Sequence, residues 1–230
     1  MAERQDNDSL TTHPTSFTVA LAGRGPDVIL VAHQSSRDPE TIMASTMRWT
    51  STDLETMPDD GKRYEIIDGE LYVSKQPSWH HQHTCFRIAT ELEIWNRMSG
   101  AGQINLAPGL IFAEDDDVAP DVVWLSNERL ACTLADDGKL HAAPELVIEV
   151  ISPGPANERR DREAKLKLYS RRGVLEYWII DWLRRQIEVY RRHELALHLV
   201  ATLQEADILE TPLLPGFSCS IAALFEQIPR

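Results

Sequence analysis

The chain has 230 residues, a formal net charge of −13 and a hydrophobic content of 43%. That apolar content is enough for one packed domain of ordinary size. The acidic charge argues against a general nucleic-acid coat protein, because affinity for phosphate comes from clustered Lys and Arg. No stretch approaches the roughly 18 apolar residues of a membrane span, and the first residues lack the basic start and apolar run of a signal peptide. The sequence therefore predicts a cytoplasmic protein with no membrane partner.

The first 45 residues differ in composition from the rest of the chain. They mix Ser, Thr, Asp, His and Pro without a sustained hydrophobic period, apart from a short apolar run at residues 28–31. Such a segment buries too little apolar surface to offset the entropy that is lost on ordering. We predict a disordered extension over residues 1–45 and one folded domain over residues 46–230.

An Asp-Gly pair at residues 68–69 stands between two apolar runs. This pattern is the strongest short-range signal for a β-hairpin with a two-residue turn. In the register that this turn sets, Glu65 lies opposite Tyr72 and Ile67 lies opposite Glu70. The two glutamates therefore share one face of the predicted hairpin.

The segment after the hairpin has the signals of a helix. Ser78 can cap its first turn, apolar residues recur at helical spacing, and Gly100 is placed to end it. Strands are then expected at residues 103–112 and 118–125. We predict that the acidic turn between them, residues 114–117, is solvated.

The C-terminal half alternates strand, helix and strand. Residues 144–153 form a nearly all-apolar run between prolines, which is typical of a strand covered on both faces. A helix is predicted over residues 157–172, ended by Gly173, and a second buried strand is predicted over residues 175–181. A crossover of this length is what a parallel strand pair requires. The tail adds strands near residues 187–190 and 195–202 and a short final helix.

Two acids interrupt strands that are otherwise apolar. Asp121 shares a strand face with Val123, and Glu149 shares one with Val147. A buried carboxylate needs a charge partner, hydrogen-bond donors or a metal, since leaving it unpaired is costly or shifts its pKa. Two such acids on neighbouring strands predict a hard cation held by oxygen ligands, most naturally Mg²⁺. The alternative is that each acid sits at a strand end and is solvated or salt-bridged.

Several motifs occur in order along the chain. They are PD at residues 120–121, EVISP at 149–153, DREAK at 161–165 and GVLEYWIID at 173–181, with PSWHHQ at 77–82 and PLLPGF at 212–217. As a set they resemble the "putative restriction endonuclease" family of the PD-(D/E)XK nuclease superfamily. The similarity begins near Met47, and the set is specific because the motifs keep their order and spacing.

This resemblance implies a restriction-endonuclease-like α/β (α+β) fold, in which helices flank a mixed central sheet and a β-hairpin stands at the N-terminus. It also implies a metal-dependent endonuclease that hydrolyses phosphodiester bonds. Asp121 and Glu149 would be catalytic metal ligands, with the carbonyl of Val150 as a third ligand. Mg²⁺ is the expected cofactor, with Mn²⁺ as a substitute. Nucleic acid, DNA before RNA, is the expected partner, and a homodimer is compatible with the resemblance.

The chain departs from the superfamily pattern at its catalytic lysine. That lysine stands two residues after the glutamate, where this chain has Ile151. Lys165 on the following helix is the best catalytic substitute, because its side chain is long enough to reach back to the strand end. The alternative is a surface ion pair between Lys165 and Asp161, four residues earlier.

Further site residues are expected near the two acids. Superfamily members often take another acid from an early element, and here Glu70 is preferred over Glu65. His81 and Gln82, at the start of a helix, are candidates for orienting water or contacting phosphate, although a lone histidine is more often structural. Asp161 is a further accessory candidate.

Basic residues cluster between Glu158 and Arg172, where seven Lys or Arg accompany three acids. Two interpretations stay open. The cluster is either a solvated helix face or a surface that contacts nucleic-acid phosphates through Arg159, Arg160 and Arg162.

Two other functions fit the same residues. The absence of a lysine at position 151 also suits a catalytically inactive nuclease fold that binds nucleic acid without hydrolysing it. Alternatively, Asp121 and Glu149 pair with arginines in a protein-interaction module, which would bind no metal.

Deletion of residues 1–45 should leave the melting temperature and the cooperativity of unfolding nearly unchanged, because this segment cannot bury much apolar surface. Thermal unfolding of the full chain and of the shortened chain measures the difference. A large loss of stability on deletion would show instead that the segment docks on the folded domain.

Overall fold

The computed structural model describes residues 47–226, and the extension predicted for residues 1–45 lies outside them. The helices are α1 (Ser51–Leu54), α2 (Trp79–Ser99), α3 (Asn127–Thr133), α4 (Pro155–Arg159), α5 (Leu166–Arg172) and α6 (Ile221–Leu224), with a π-helical segment at Arg160–Lys165. The strands are β1 (Arg63–Ile67), β2 (Glu70–Ser74), β3 (Gly102–Leu106), β4 (Leu110–Ala113), β5 (Asp116–Val118), β6 (Val122–Ser126), β7 (Leu146–Val150), β8 (Glu176–Asp181), β9 (Gln186–His193), β10 (Ala196–Gln204), β11 (Ile208–Glu210) and β12 (Ser218–Ser220). No helix within the described residues combines the length and apolar character needed to cross a membrane.

The centre of the domain is a six-stranded sheet with the order β10-β9-β8-β7-β6-β3. Strands β7 and β8 are parallel, whereas the other neighbouring pairs are antiparallel. The parallel pair follows from the helical connection over residues 155–172, since parallel strands need a long crossover. The predicted mixed central sheet flanked by helices is therefore confirmed.

The predicted hairpin forms, and β1 and β2 pair in the expected register with Glu65 opposite Tyr72. Asp68 and Gly69 both have positive φ, 55° and 74°. Such a backbone belongs to the type I′ turn, which matches the twist of the flanking strands. The hairpin is part of a second, four-stranded sheet with the order β2-β1-β5-β4, which the sequence did not predict.

Two apolar clusters cover the two faces of the central sheet. The first contains Ile148 and Trp178 from the sheet together with side chains of α2 such as Leu92. The second contains Val147 and Tyr177 together with side chains of α5 and of the hairpin. Successive residues of β7 and β8 thus alternate between the clusters, as expected for strands that are buried on both faces.

Two of the predicted strands are divided in the structure. Residues 103–112 form β3 and part of β4, which belong to different sheets, and residues 118–125 form the end of β5 and most of β6. Pro108 and Pro120 stand at these breaks. Proline cannot donate a ladder hydrogen bond, so the prediction of two continuous strands was wrong.

The acidic turn is not solvated as predicted, because Asp116 within it is fully buried. Its carboxylate accepts hydrogen bonds from Arg171 at 2.7 Å, from Arg172 at 3.1 Å and from the amide of Asp68 at 2.8 Å. Burial alone would raise the pKa of Asp116, but these donors lower it. The contact attaches the end of α5 to the four-stranded sheet.

Helix α2 has the predicted caps. The hydroxyl of Ser78 accepts a hydrogen bond from the amide of His81 at 3.3 Å, and Gly100 ends the helix with a φ of 62°.

Near the C-terminal end of α2 the buried side chain of Asn96 forms hydrogen bonds with the amide and the carbonyl of Gly102 on β3, at 3.1 and 2.8 Å. The Oδ1 atom of Asn96 also accepts a hydrogen bond from the indole of Trp124 on β6 at 3.2 Å. Asn96 therefore anchors α2 to the central sheet.

Asn96→Ala should lower the free energy of unfolding by about 3 kcal/mol, because it leaves the Trp124 indole and the backbone of Gly102 buried without partners. Asn127→Ala is a matched control, since its amide makes one exposed hydrogen bond, to the carbonyl of Gly100. The control should lose no more than about 0.5 kcal/mol. Urea unfolding measures both variants, and equal losses would contradict the anchoring role of Asn96.

Candidate active site

Asp121 and Glu149 lie beside each other on neighbouring antiparallel strands. Asp121 directly precedes β6, whose Val122 pairs with Ile148 of β7, and Glu149 is the next residue of β7. The Oδ2 atom of Asp121 accepts a hydrogen bond from the amide of Val150 at 2.9 Å. Both acids are buried. The structure thus brings together the two carboxylates that the sequence singles out.

The ammonium group of Lys165 lies between two carboxylates. Its Nζ atom is 2.8 Å from Oε1 of Glu149 and 2.9 Å from Oε1 of Glu65. Burial alone would lower the pKa of Lys165, but the charges of Glu149 and Glu65 raise it. Because the lysine is fully buried, the alternative of a surface pair with Asp161 is wrong.

A π-helical segment presents Lys165 to the two acids. It spans Arg160–Lys165 between α4 and α5, and π-helical turns are rare and often found at functional sites. The carboxylate of Asp161 is buried in this segment and accepts a hydrogen bond from Arg160 at 2.9 Å. The backbone carbonyl of Asp161 accepts another from the hydroxyl of Tyr177 at 3.0 Å. Asp161 therefore supports the π-helical backbone instead of pairing with Lys165 at the surface.

One oxygen of Glu149 accepts two hydrogen bonds. The donors are Lys165 and the hydroxyl of Tyr169, each at 2.8 Å. Burial first, and then the negative charge of Asp121, raise the pKa of Glu149 to about 8 against the attraction of Lys165. An acid in these surroundings is stabilised in its ionised form by additional positive charge.

Three donors surround the carboxylate of Asp121. Besides the Val150 amide, Nη1 of Arg63 lies 3.1 Å from Oδ1 and Nε2 of His81 lies 3.1 Å from Oδ2. Burial opposes ionisation, but His81 first, and then the charges of Lys165 and Arg63, hold the pKa of Asp121 well below its usual range. Burial likewise opposes the charged form of His81, whose pKa is nevertheless raised by Asp121.

His81 faces the two acids, whereas Gln82 is exposed. The ring nitrogen Nδ1 of His81 lies 3.6 Å from Sγ of Cys85 and 3.4 Å from Oε1 of Gln82. Ligand atoms of His81, Cys85 and Asp121 lie within 4.8 Å of one another. The ring nitrogen nearest Cys85 is not the one nearest Asp121, so the three side chains do not point at a common centre. This geometry supports His81 as a residue that orients Asp121.

Of the two hairpin glutamates, Glu65 reaches the site and Glu70 does not. Glu65 is buried, contacts Lys165 and accepts a hydrogen bond from the amide of Ala119 at 3.0 Å. Glu70 is exposed at the turn end of the hairpin, where it accepts a hydrogen bond from the hydroxyl of Tyr72 at 3.1 Å. The predicted common face is observed, but the preference for Glu70 is corrected in favour of Glu65.

The three arginines expected to contact phosphate have different surroundings. Arg162 pairs with Glu188 at 2.8 Å and with Glu158 at 2.9 Å, so its charge is already paired within the fold and its phosphate contact stays a prediction. Arg159 is exposed, and with Arg160 it lines a cleft of about 760 Å³ formed by the hairpin and the helical run after β7. Most of the basic cluster therefore belongs to ion pairs within the fold.

Two residues of the site were not singled out as functional in the sequence. Arg63 lies two residues before Glu65, and the alternation of side chains along β1 was the signal that both share a face. Tyr169 is buried, as a core aromatic should be, but its hydroxyl also bonds Glu149. Its position four residues after Lys165, on the same helix face, was the available signal.

Comparison with solved structures supports the fold. A crystal structure described as "a putative nuclease belonging to DUF820 from Anabaena variabilis ATCC 29413" has a TM-score of 0.61 and 17% identity, and the match covers 76% of this chain and 97% of that chain. The type IIG restriction endonuclease BpuSI has a TM-score of 0.36 and 11% identity, with 66% of this chain and 17% of that chain covered. Among curated proteins no match is found. The first comparison shows a shared fold.

A family comparison covers most of the sequence. The profile of the Uma2 family, described as "Putative restriction endonuclease", matches residues 51–222. The matched segment contains all four of Glu65, Asp121, Glu149 and Lys165. The chain therefore belongs to the Uma2 family.

Proposed function

We propose that the protein is a divalent-metal-dependent endonuclease that hydrolyses phosphodiester bonds of DNA. The observation that carries the proposal is the buried carboxylate pair of Asp121 and Glu149, with the ammonium of Lys165 at 2.8 Å from Glu149. Membership of a family described as restriction endonucleases supports a nuclease reaction.

The carboxylate pair suits a hard divalent cation. Asp121 and Glu149 offer oxygen atoms from adjacent strands, and burial together with the charge of Asp121 raises the pKa of Glu149. A cation between them would relieve this repulsion. Asp121, Glu149 and the carbonyl of Val150 would hold Mg²⁺, or Mn²⁺ in its place. When bound, such an ion polarises the phosphodiester and lowers the pKa of a coordinated water.

Lys165 supplies a fixed positive charge at the place where negative charge would develop on the attacked phosphate. Its ammonium is held by Glu149 and Glu65. A charge that is already oriented in a buried site needs no reorganisation during the reaction, which is the main reason why such groups accelerate it. Glu65 and Tyr169 act as positioning residues, because they contact Lys165 and Glu149 respectively.

The cleft beside the site offers a path for nucleic acid. Arg159, Arg160, Lys167 and Tyr72 are among the residues that line it. Arg159 is exposed, and the side chain of Lys167 is 73% exposed. Exposed Lys and Arg side chains bind nucleic-acid phosphates and release the counterions condensed on them. Arg159 and Lys167 are therefore placed to contact the sugar-phosphate backbone of a bound strand.

A second candidate function is favoured by the charge pairing of the site. Asp121 and Glu149 already have cationic neighbours within the chain, namely Arg63, His81 and Lys165. Carboxylates that are satisfied in this way suit a module that has kept the fold and binds nucleic acid without hydrolysing it. Such a module would bind equally well with and without metal.

The purified protein should cleave plasmid, linear duplex or single-stranded DNA in Mg²⁺ or Mn²⁺, and chelation of the metal should stop cleavage. Asp121→Asn and Glu149→Gln should each abolish cleavage and most Mn²⁺ binding in titration calorimetry, because each removes one negatively charged ligand. Glu70→Gln is the matched control, since this exposed acid lies away from the carboxylate pair. It should keep Mn²⁺ binding, and it should not lose cleavage, because removing a negative charge from the cleft does not disfavour DNA.

Cleavage by the parent in chelator would contradict metal dependence. Unchanged Mn²⁺ affinity in both Asp121→Asn and Glu149→Gln would contradict the location of the metal. Binding of DNA without cleavage in every condition would favour the second candidate function.

Lys165→Met should slow the chemical step by about 10² to 10³ fold, because it removes one oriented charge from the site. Lys167→Met is the matched control, two residues further along the same helical run. It should weaken DNA binding, because Lys167 lines the cleft, but it should cleave at nearly the parent rate once the enzyme saturates the DNA. Single-turnover cleavage at saturating Mg²⁺ measures both variants.

The stability of these variants separates catalysis from folding. Lys165→Met leaves Glu149 and Glu65 buried without their counter-charge and should lower the free energy of unfolding by about 3–5 kcal/mol. Lys165→Arg keeps the charge and should recover part of that loss while cleavage stays impaired by the altered geometry. A folded Lys165→Met protein that cleaves at the parent rate would refute the catalytic role.

A further inference from the structure

The first half of α2 carries aromatic side chains that the proposed hydrolysis does not use. Trp79 is 72% exposed and Phe86 is 59% exposed. His83 lies on the same outer side of the helix, because the three residues are spaced i, i+4 and i+7. The rings of Trp79 and His83 are stacked, with centroids 6.2 Å apart and planes 15° from parallel. We name Trp79, His83 and Phe86 the aromatic face of α2.

The aromatic face belongs to the helix that borders the candidate active site. Its first turn also carries His81, which contacts Asp121. His80 stacks on Trp182 with ring centroids 4.5 Å apart, and Trp182 directly follows β8, the strand that pairs with β7. The start of α2 is therefore attached both to the acid before β6 and to the strand next to Glu149.

The surroundings of the aromatic face indicate a binding surface. Its three residues and Gln82 line a surface depression of about 270 Å³. The Nε2 atom of His83 is buried, and it has no hydrogen-bond partner within residues 47–226. A buried polar atom without a partner is costly, and clustered exposed aromatics usually mark a place where another molecule binds. Gln82 connects this surface to the site, since its side chain also contacts His81.

We propose that the aromatic face binds unpaired nucleobases of the substrate strand by stacking. The proposal rests on the proposed nuclease function. Every base has a flat π-face, so a series of exposed rings accepts bases with little regard to sequence. The N-terminus of the 21-residue helix α2 attracts the phosphates that link those bases. Because a duplex hides its base faces, the preferred substrate is single-stranded or locally opened DNA.

The test measures binding of fluorescently labelled DNA to the full chain by anisotropy, with Ca²⁺ in place of Mg²⁺. The probes are a short single strand, the same strand with abasic sites, and the corresponding duplex. Trp79→Ala/Phe86→Ala should weaken binding of the ordinary single strand by between about fivefold and a hundredfold, the range expected from loss of base stacking. The parent should bind the abasic strand as weakly as this variant binds the ordinary strand.

Ile94→Ala/Met98→Ala is the matched control, because these side chains are 54% and 86% exposed on the second half of the same helix. It should bind every probe as the parent does. Melting temperatures of both double variants should equal that of the parent, since each removes exposed side chains.

The stacking proposal is overturned if Trp79→Ala/Phe86→Ala binds the single strand as tightly as the parent, if the abasic strand binds the parent normally, or if the duplex binds more tightly. A change from dimer to monomer in that variant would assign the aromatic face to self-association and overturn it as well. A parent that binds strands through these rings but never cleaves them would refute the nuclease and leave stacking intact. A parent that cleaves DNA while both double variants bind the single strand normally would support the nuclease and refute stacking.

Discussion

The contact of the Lys165 ammonium with Glu149 and Glu65 is the interaction on which both the domain and the site depend. It joins three parts of the chain. These are the central sheet through Glu149, the four-stranded sheet through Glu65, and the helical run over residues 155–172 through Lys165. A buried charge is costly unless it is paired. These three parts therefore cannot separate without leaving a charge unpaired. The contact that orients the site also holds the central sheet and the four-stranded sheet together.

Around this contact the site brings together eight ionisable side chains, of which six are buried and two, Arg63 and Arg160, are partly exposed. Its acids are Glu65, Asp121, Glu149 and Asp161, and its bases are Arg63, His81, Arg160 and Lys165. Each group contributes to the electrostatic potential at several others, so the effects of substitutions in this set will not add. The same coupling orients the side chains before any substrate arrives, which is what electrostatic catalysis requires of an active site.

Features with a local cause could be predicted from the sequence. The turn at residues 68–69 follows from the backbone preferences of Asp and Gly, and Asp121 and Glu149 were recognised because an acid in an apolar strand needs a partner. The depth of a residue in the fold has no such local signal. Alternation places Glu65 and Glu70 on one face, but which of them is covered depends on how the helical run packs against the hairpin. The ion pairs of the basic cluster with Asp116 and Glu188 were not predicted for the same reason, since these acids come from distant elements.

The π-helical segment makes the arrangement of the site depend on how many residues the helical run contains. A π-helical turn holds one residue more than an α-helical turn. Loss of one residue from Arg160–Lys165 would permit an uninterrupted α-helix and would rotate every preceding side chain by about 100° relative to those that follow. Either Arg160 and Asp161 would turn away from their present positions, or Lys165 and Arg171 would together leave Glu149 and Asp116. Natural variants of this protein should therefore tolerate exchanges at an exposed position such as Glu163 far better than single-residue insertions or deletions within the segment.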